Sequence, residues 1–569
     1  MADTMQITGA ELIARSLVAC GLTHVFNVPG LGIHPLLEAI RQHRAELNYF
    51  TAPSETAVTL MADGYGRATG MPAFVNVYHA SGTALGMMGV TTAWADRSPM
   101  VFTTTTSSRR LERRDQYASV PGDITDVTRQ FVKWNWEVPL VERIPEALAR
   151  AVLIAKATPP GPVHLAFPMD LYTDTLDASV AQRLLDELRG KMLSAEPGSA
   201  HPDALGEACT RLESASRPLI VAGGQVAQSG DWRDLVDLAE RLEAAVLIEP
   251  YVAFMGFPND HRLFAGRFSV NHPLVREADL IIFAGAELTE GGGTVSFVHS
   301  ADTQLVAIAA DARDIGKQLW PHVALVGNPS AIIVDLRDWL TANRKRPEWT
   351  SRIATVRESY QAGLHEEVKR TSGNVPISIA RLATDVQDVF GDRALIVDHS
   401  TTGTAYLLQM YRFSDPSRYF GISARASAQG WGAPAAIGVQ IGRPKERVVA
   451  FVGDGGLMFT GSALYAAALW RLPIVFIVLS NGGWYDVAYG AQVKRGWTEE
   501  DLRNFGWRLD PPIDHASFAA SLGISSERVS APSDLRPALE RASQRTGPTM
   551  LVVDTDPKAV EYYLDWIQR

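Results

Sequence analysis

Two hydrophobic patterns alternate along this chain. Short unbroken apolar runs end at Gly, Pro, Asn or Asp, and between them apolar side chains recur every three or four positions. Unbroken runs of this length suit strands buried on both faces, and the longer spacing suits amphipathic helices. Near the start, Thr8 and Glu11 form a T-x-x-E capping box ahead of Leu12, Ile13, Ser16, Leu17 and Cys20, and Gly21 supplies a left-handed stop. Residues 24–28 read as a strand, Pro29-Gly30-Leu31-Gly32 as a turn, and a helix is expected from about Ile33. Residues 73–78 (AFVNVY) read as a further strand, followed by a small-residue turn (HASGT) and a helix through Met88 and Trp94.

The alternation returns twice. Strand-like runs at 218–224, 244–250, 280–287 and 304–311 define a second unit, and those at 394–400, 448–456, 473–483 and 549–556 a third. Polar residues 172–200 and charged residues 344–351 read as linkers. The predicted fold class is therefore α/β, with three doubly wound parallel-sheet domains at 1–172, 197–343 and 375–569.

Composition narrows the function. Hydrophobic residues make up 46% and charged residues 20%, a globular balance. Lys and Arg number 53 against 63 Asp and Glu, for a formal charge of −10 with no basic block. Neither nucleic acid nor an anionic membrane is an expected partner. Two cysteines, Cys20 and Cys209, cannot build a disulfide framework. The first residues lack a signal-peptide pattern, and the apolar run 474–479 is too short to span a bilayer, so a cytoplasmic enzyme is expected.

The most specific chemistry lies in the third unit. Gly453-Asp454-Gly455-Gly456 follows one strand, and after Gly455 come 25 residues before Asn481-Gly482-Gly483 follows the next. If those strands are neighbours, a carboxylate, an amide oxygen and the Gly483 carbonyl emerge on one sheet edge. That donor set suits Mg²⁺ together with phosphate oxygens, and a single crossover helix is expected between the strands. In the first unit Ser54-Glu55-Thr56 opens a helix running to about Gly64-Tyr65-Gly66. Glu55 shares a face with Val58 and Ala62, so its carboxylate projects from the apolar side, where desolvation favours a proton.

These motifs resemble the thiamine diphosphate (ThDP) enzymes of the pyruvate decarboxylase and acetolactate synthase type, over essentially the whole chain. The resemblance implies pyrimidine-binding, middle and diphosphate-binding domains, with Mg²⁺ held by Asp454, Asn481 and Gly483. It implies a homodimer or homotetramer whose active sites are shared between subunits. It makes Glu55 the acid that activates the cofactor's pyrimidine ring. It adds Ser400, Thr401 and Thr402 as diphosphate contacts, Ser427 as a carbonyl facing the pyrimidine amino group, Gln429 beneath the bent cofactor, and Trp484 and Tyr485 beside the pocket.

Within that family, residues 62–77, 131–138, 242–266 and 432–444 are similar to benzoylformate decarboxylase-like members. The chain departs from them in four places. Leu31 stands where they have a serine, Tyr78 stands where they have a histidine (His79 is one residue on), and Gln429 replaces a bulky apolar residue. Tyr78 and His79 are the candidate proton-relay residues. The second family histidine falls in 291–293, where this chain has glycines. Arg109, Arg110, Arg113 and Arg114 form either a solvated loop or an anion clamp, and Gln116 is a weaker active-site candidate. The expected activity is cleavage or formation of a carbon–carbon bond next to a carbonyl, on a 2-oxo acid or a 2-hydroxy carbonyl compound. The alternatives are a lyase acting on 2-hydroxy ketones or 2-hydroxyacyl thioesters, a non-catalytic paralogue, and a nucleotide-dependent dehydrogenase. The last is disfavoured because the turn at 223–225 lacks a full G-x-G-x-x-G.

Overall fold

The structure, a computed structural model, describes residues 5–111, 122–188, 197–287, 302–317, 320–340, 345–423 and 425–562. It contains three six-stranded, wholly parallel sheets with helices between most successive strands. The first has the strand order Asn48–Thr51, His24–Asn27, Ala73–Tyr78, Met100–Thr106, Pro162–Pro168, Asn135–Glu137. The second runs Phe264–Arg267, Ala245–Ile248, Pro218–Ala222, Leu280–Ala284, Gln304–Ala309, Val323–Val326. The third runs Tyr419–Phe420, Leu395–His399, Val448–Gly453, Val475–Ser480, Thr549–Asp554, Ser525–Val529. The fold class is thus the expected one. Each sheet has a point where the chain switches direction across it, and ligands of such sheets bind outside the strand ends there.

By packing, the chain forms two compact units. One holds the first sheet together with residues 426–445 and 460–472, and the other holds the second and third sheets. In the first unit the Gly432–Gly442 helix crosses the Glu55–Thr69 helix at backbone contact. A Cβ on Gly438 would lie 1.8 Å from the Met61 carbonyl oxygen, and one on Gly64 would lie 2.2 Å from that of Ala435. Neither backbone can give way without parting the helices. Gly438→Ala is expected to cost about 3 kcal/mol, read as a fall in the urea midpoint at unchanged slope. The crossing is also tied by a buried polar cluster. Arg67 donates from Nε to Asp63 (2.7 Å) and from Nη2 to Asp96 (2.8 Å), and Trp431 Nε1 donates to Asp63 (2.7 Å).

Several expected features differ. Thr8 caps its helix by accepting the Glu11 N–H at 3.2 Å. The Glu11 carboxylate turns to Arg15 (2.7 Å) and His43 (3.0 Å), so the reciprocal half of the capping box is replaced by ion pairing. HASGT is no turn: the His79–Ala95 helix starts directly at the end of the strand. The polar stretch after 172 carries the strand Thr175–Asp177, paired antiparallel with Gln6–Thr8, and the helix Ala178–Asp186. The charged stretch 344–351 leads into a 25-residue helix, Pro347–Thr371, started by a proline in its first turn and anchored by buried Trp349 and Ile353. The crossover between Asp454 and Asn481 is broken into Asp454–Leu457 and Leu464–Leu469. The short strands Phe264–Arg267, Val323–Val326, Tyr419–Phe420 and Ser525–Val529 complete the sheets. No helix among the described residues is long and apolar enough to cross a membrane.

Candidate functional site

The third sheet brings the metal-type residues together. Val448–Gly453 pairs with Val475–Ser480, with Gly453 opposite Leu479, so Asp454 and Asn481 leave adjacent strand ends. Leu395–His399 lies on the other side of Val448–Gly453. The pair Leu395–His399 and Val448–Gly453 is this sheet's switch point, so Ser400–Thr402 and Asp454 flank it. Asp454 is 2% exposed. Its Oδ1 accepts the Gly455 N–H and its Oδ2 the Gly482 N–H, each at 2.7 Å. Burial raises its carboxyl to about 6, against the pull of backbone donors at Gly482, Gly455 and Asn481 and of the Arg508 charge. Asn481 Oδ1 is buried and accepts no hydrogen bond, a costly state for an amide oxygen. Two oxygens from adjacent strands, one anionic and one unsatisfied, make a seat for a cation. Among the described residues no cluster of three or more His, Cys, Asp or Glu side chains could hold a metal alone. A cation here would take its remaining oxygens from backbone carbonyls and from a ligand.

The turn after Asn481 is clamped by a segment that carries no sequence motif. Trp484 N–H donates to the Trp507 carbonyl at 3.1 Å, and Leu509 N–H donates to that of Gly482 at 2.9 Å. Gly483, at φ +155°, fits because a Cβ there would meet the Trp507 oxygen at 2.3 Å. Trp484 lies over Gly455, where a Cβ would be 2.9 Å from the indole, and its Nε1 is buried without an acceptor. Tyr485 starts the Tyr485–Arg495 helix and accepts a hydrogen bond from Arg508, whose guanidinium sits 4.8 Å from the centre of its ring. Arg508, beside Gly482, is a cation that local patterning did not reveal.

The hydroxyl cluster is less uniform than its sequence. Asp398 Oδ1 accepts both the Ser400 N–H (3.0 Å) and the Ser400 hydroxyl (2.6 Å), an Asx turn that the D-x-S spacing foreshadows. Ser400 therefore shapes the turn, while Thr401, at φ +53°, and Thr402 complete it.

In the first unit Ser54 accepts the Ala57 N–H at 3.2 Å and caps the Glu55–Thr69 helix, with Glu55 half-buried at its first position and Val58 and Ala62 buried beneath. The Glu55 carboxylate lies against Gly82, where a Cβ would come within 3.1 Å of Oε1. Gly82 is in the first turns of the helix that His79 begins. His79 is 3% exposed, sits at φ +55°, and has both ring nitrogens unpaired. Burial lowers its pKa, so the ring is neutral. Thr83 Oγ1 donates to the His79 carbonyl at 2.8 Å and is bonded to Thr104, which bonds His164. The Tyr78 ring packs edge-on to His79, 3.8 Å between centroids, and lies against Gly30 and Gly32. Leu31, between those glycines, is 71% exposed.

Ser427 is exposed at φ +42° and Gln429 is half-buried. Of the six non-glycine residues at positive φ among the described residues, His79, Thr401 and Ser427 are site candidates, so backbone strain gathers at these positions. Arg109 pairs with Asp170 (2.7 Å) and Asp174 (2.6 Å), and Arg110 pairs with Asp174 (2.6 Å). These two serve internal ion pairs rather than an anion clamp. Arg113, Arg114, Gln116 and Gly291–Gly293 lie outside the described residues.

Three family descriptions match the chain: "Thiamine pyrophosphate enzyme, N-terminal TPP binding domain" over 7–126, the central domain of the same enzymes over 205–336, and their C-terminal TPP binding domain over 401–553. Benzoylformate decarboxylase of Pseudomonas aeruginosa is 28% identical, over 97% of this chain and 99% of its own. Acetolactate synthase of Bacillus subtilis is 25% identical, over 96% and 93%. The fold matches that of the thiamine diphosphate-dependent 4-hydroxybenzoylformate decarboxylase of Rhodococcus jostii, with a TM-score of 0.83 at 24% identity, over 97% and 99% of the two chains.

Proposed function

Because the chain belongs to the thiamine pyrophosphate enzymes, we propose that it is a ThDP- and Mg²⁺-dependent 2-oxo-acid decarboxylase and carboligase of the benzoylformate decarboxylase type. The observation that carries this reading is the pairing of buried Asp454 with the unsatisfied Asn481 amide oxygen on adjacent strand ends. Asp454, Asn481 and the Gly483 carbonyl would hold the cation. The N–H groups of the Gly453–Gly456 turn, the Thr401 and Thr402 hydroxyls and the Trp484 indole N–H would hold the diphosphate. Ser427 and Gln429 would support the rings.

When bound, ThDP supplies a nucleophilic carbon and an electron sink for the carbanion left when the bond beside a carbonyl breaks. The chain's own groups do the proton work. Glu55 would face the pyrimidine ring nitrogen and exchange a proton with it. Neutral His79, with both nitrogens free of protein partners, can take or give a proton without first breaking a hydrogen bond. The Tyr78 ring walls its far side. Subunits pair so that one chain's Glu55 serves the diphosphate seat of another, giving a homodimer or homotetramer, and the enzyme works in the cytoplasm.

A second reading is favoured by Leu31 and Tyr78, which depart from the aryl-2-oxo-acid pattern: a lyase on 2-hydroxy ketones or 2-hydroxyacyl thioesters. Incubation with a panel of 2-oxo acids is expected to release one CO₂ per aldehyde formed. Aldehyde from 2-hydroxy carbonyl compounds with no CO₂ from any 2-oxo acid would overturn the decarboxylase reading in favour of the lyase.

A further inference from the structure

The middle sheet carries a ligand crevice that the chemistry above does not use. Its switch point lies between Pro218–Ala222 and Leu280–Ala284, and the turns after those strands, Gly223-Gly224 and Gly285-Ala286, touch. A Cβ on Gly223 would lie 2.1 Å from Ala286 Cα. Backbone N–H groups in such a crevice ordinarily face the phosphates of a nucleotide. Here they face a carboxylate of the chain itself. Glu249, at the end of Ala245–Ile248 and 5% exposed, accepts the Gly224 N–H at its Oε1 (2.7 Å) and the Glu287 N–H at its Oε2 (2.8 Å). Gln225 occupies the space beside it. Its Oε1 accepts the Ala310 N–H at 2.9 Å, and its Nε2 donates to Asp314 at 3.2 Å. Lys317 and Arg425 are spent on Asp314 and Glu287.

We propose that Glu249 is a built-in anion that occupies the phosphate seat of the middle domain and closes it to nucleotides, so that the enzyme works without one. A phosphate entering would have to displace a carboxylate that already holds two charge-assisted hydrogen bonds. It would then sit beside Glu287 and Asp314, which repel it. Removing the carboxylate leaves two buried N–H donors without an acceptor, which an oxyanion would satisfy.

The test is calorimetric titration of ADP into protein saturated with ThDP and Mg²⁺, so that the C-terminal diphosphate seat is filled. Wild type is expected to show a Kd above about 10 mM, and Glu249→Ala a Kd at least tenfold lower. Glu249→Ala should also melt earlier than wild type and recover on addition of ADP or inorganic pyrophosphate, which leave wild type unmoved. Micromolar ADP binding by wild type would overturn the proposal. So would a folded Glu249→Ala that neither binds ADP better nor is restored by it. Should Glu249→Ala fail to fold, Glu249→Gln keeps the volume and removes the charge. It is expected to bind ADP more tightly than wild type, and unchanged affinity would overturn the proposal. ThDP binding is measured separately, so its failure would strike the cofactor reading and leave this one standing.

Discussion

Glu55→Gln is expected to lower kcat at least about 100-fold, about 2.7 kcal/mol of barrier, while ThDP binds within about threefold of its wild-type affinity. Glutamine has the same shape and can lie against Gly82 as Glu55 does. Ser54 still caps the helix. What is lost is the acid: an amide cannot hold and return a proton at the pyrimidine nitrogen. Turnover by CO₂ release and cofactor affinity by tryptophan fluorescence quenching separate the two effects. Undiminished turnover would remove Glu55 from its role. A parallel loss of ThDP binding would make it a binding residue instead.

The second large effect concerns the cation seat. Asp454→Ala is expected to weaken ThDP binding in Mg²⁺ at least about 100-fold. Chelator should strip the wild-type holoenzyme and Mg²⁺ should restore it, whereas the variant should not respond to Mg²⁺. The expectation rests on the economy of the site. Among the described residues no group of three or more His, Cys, Asp or Glu side chains could hold a metal, so removing Asp454 leaves the seat to the Asn481 amide and backbone oxygens, too little charge to dehydrate Mg²⁺. The variant also frees the Gly455 and Gly482 N–H groups that Asp454 now orders. Circular dichroism of the metal-free variant must therefore match wild type before the loss is assigned to the metal. Tight ThDP binding by a folded Asp454→Ala would move the cation elsewhere.

The parts of the fold legible in the sequence were those governed by local rules. Continuous apolar runs such as 448–453 and 475–480 became central strands because both their faces are covered. The spacing of Gly-Asp-Gly and Asn was readable because each sits at a strand end, and adjacent strands bring strand ends together. The Pro347–Thr371 helix was missed because its charged surface hides a seam that rests on little more than Trp349 and Ile353. The edge strands Tyr419–Phe420 and Ser525–Val529 were missed because they are short and need a neighbour to define them.

By itself, then, the sequence determined the alternation of strand and helix, the three-sheet plan, and the placing of Asp454, Asn481 and Glu55 at the ends of strands and at a helix start, since all of these follow from backbone geometry over a few residues. Tertiary structure alone decided what those groups touch. Glu249 became an internal anion only where Gly224 and Glu287 converge on it. His79 was left neutral and unpaired by burial at a left-handed helix start. Arg508 and Trp507 arrived at the turn after Asn481 from about 25 residues downstream. Such contacts depend on which segments meet, and no periodicity along the chain encodes that.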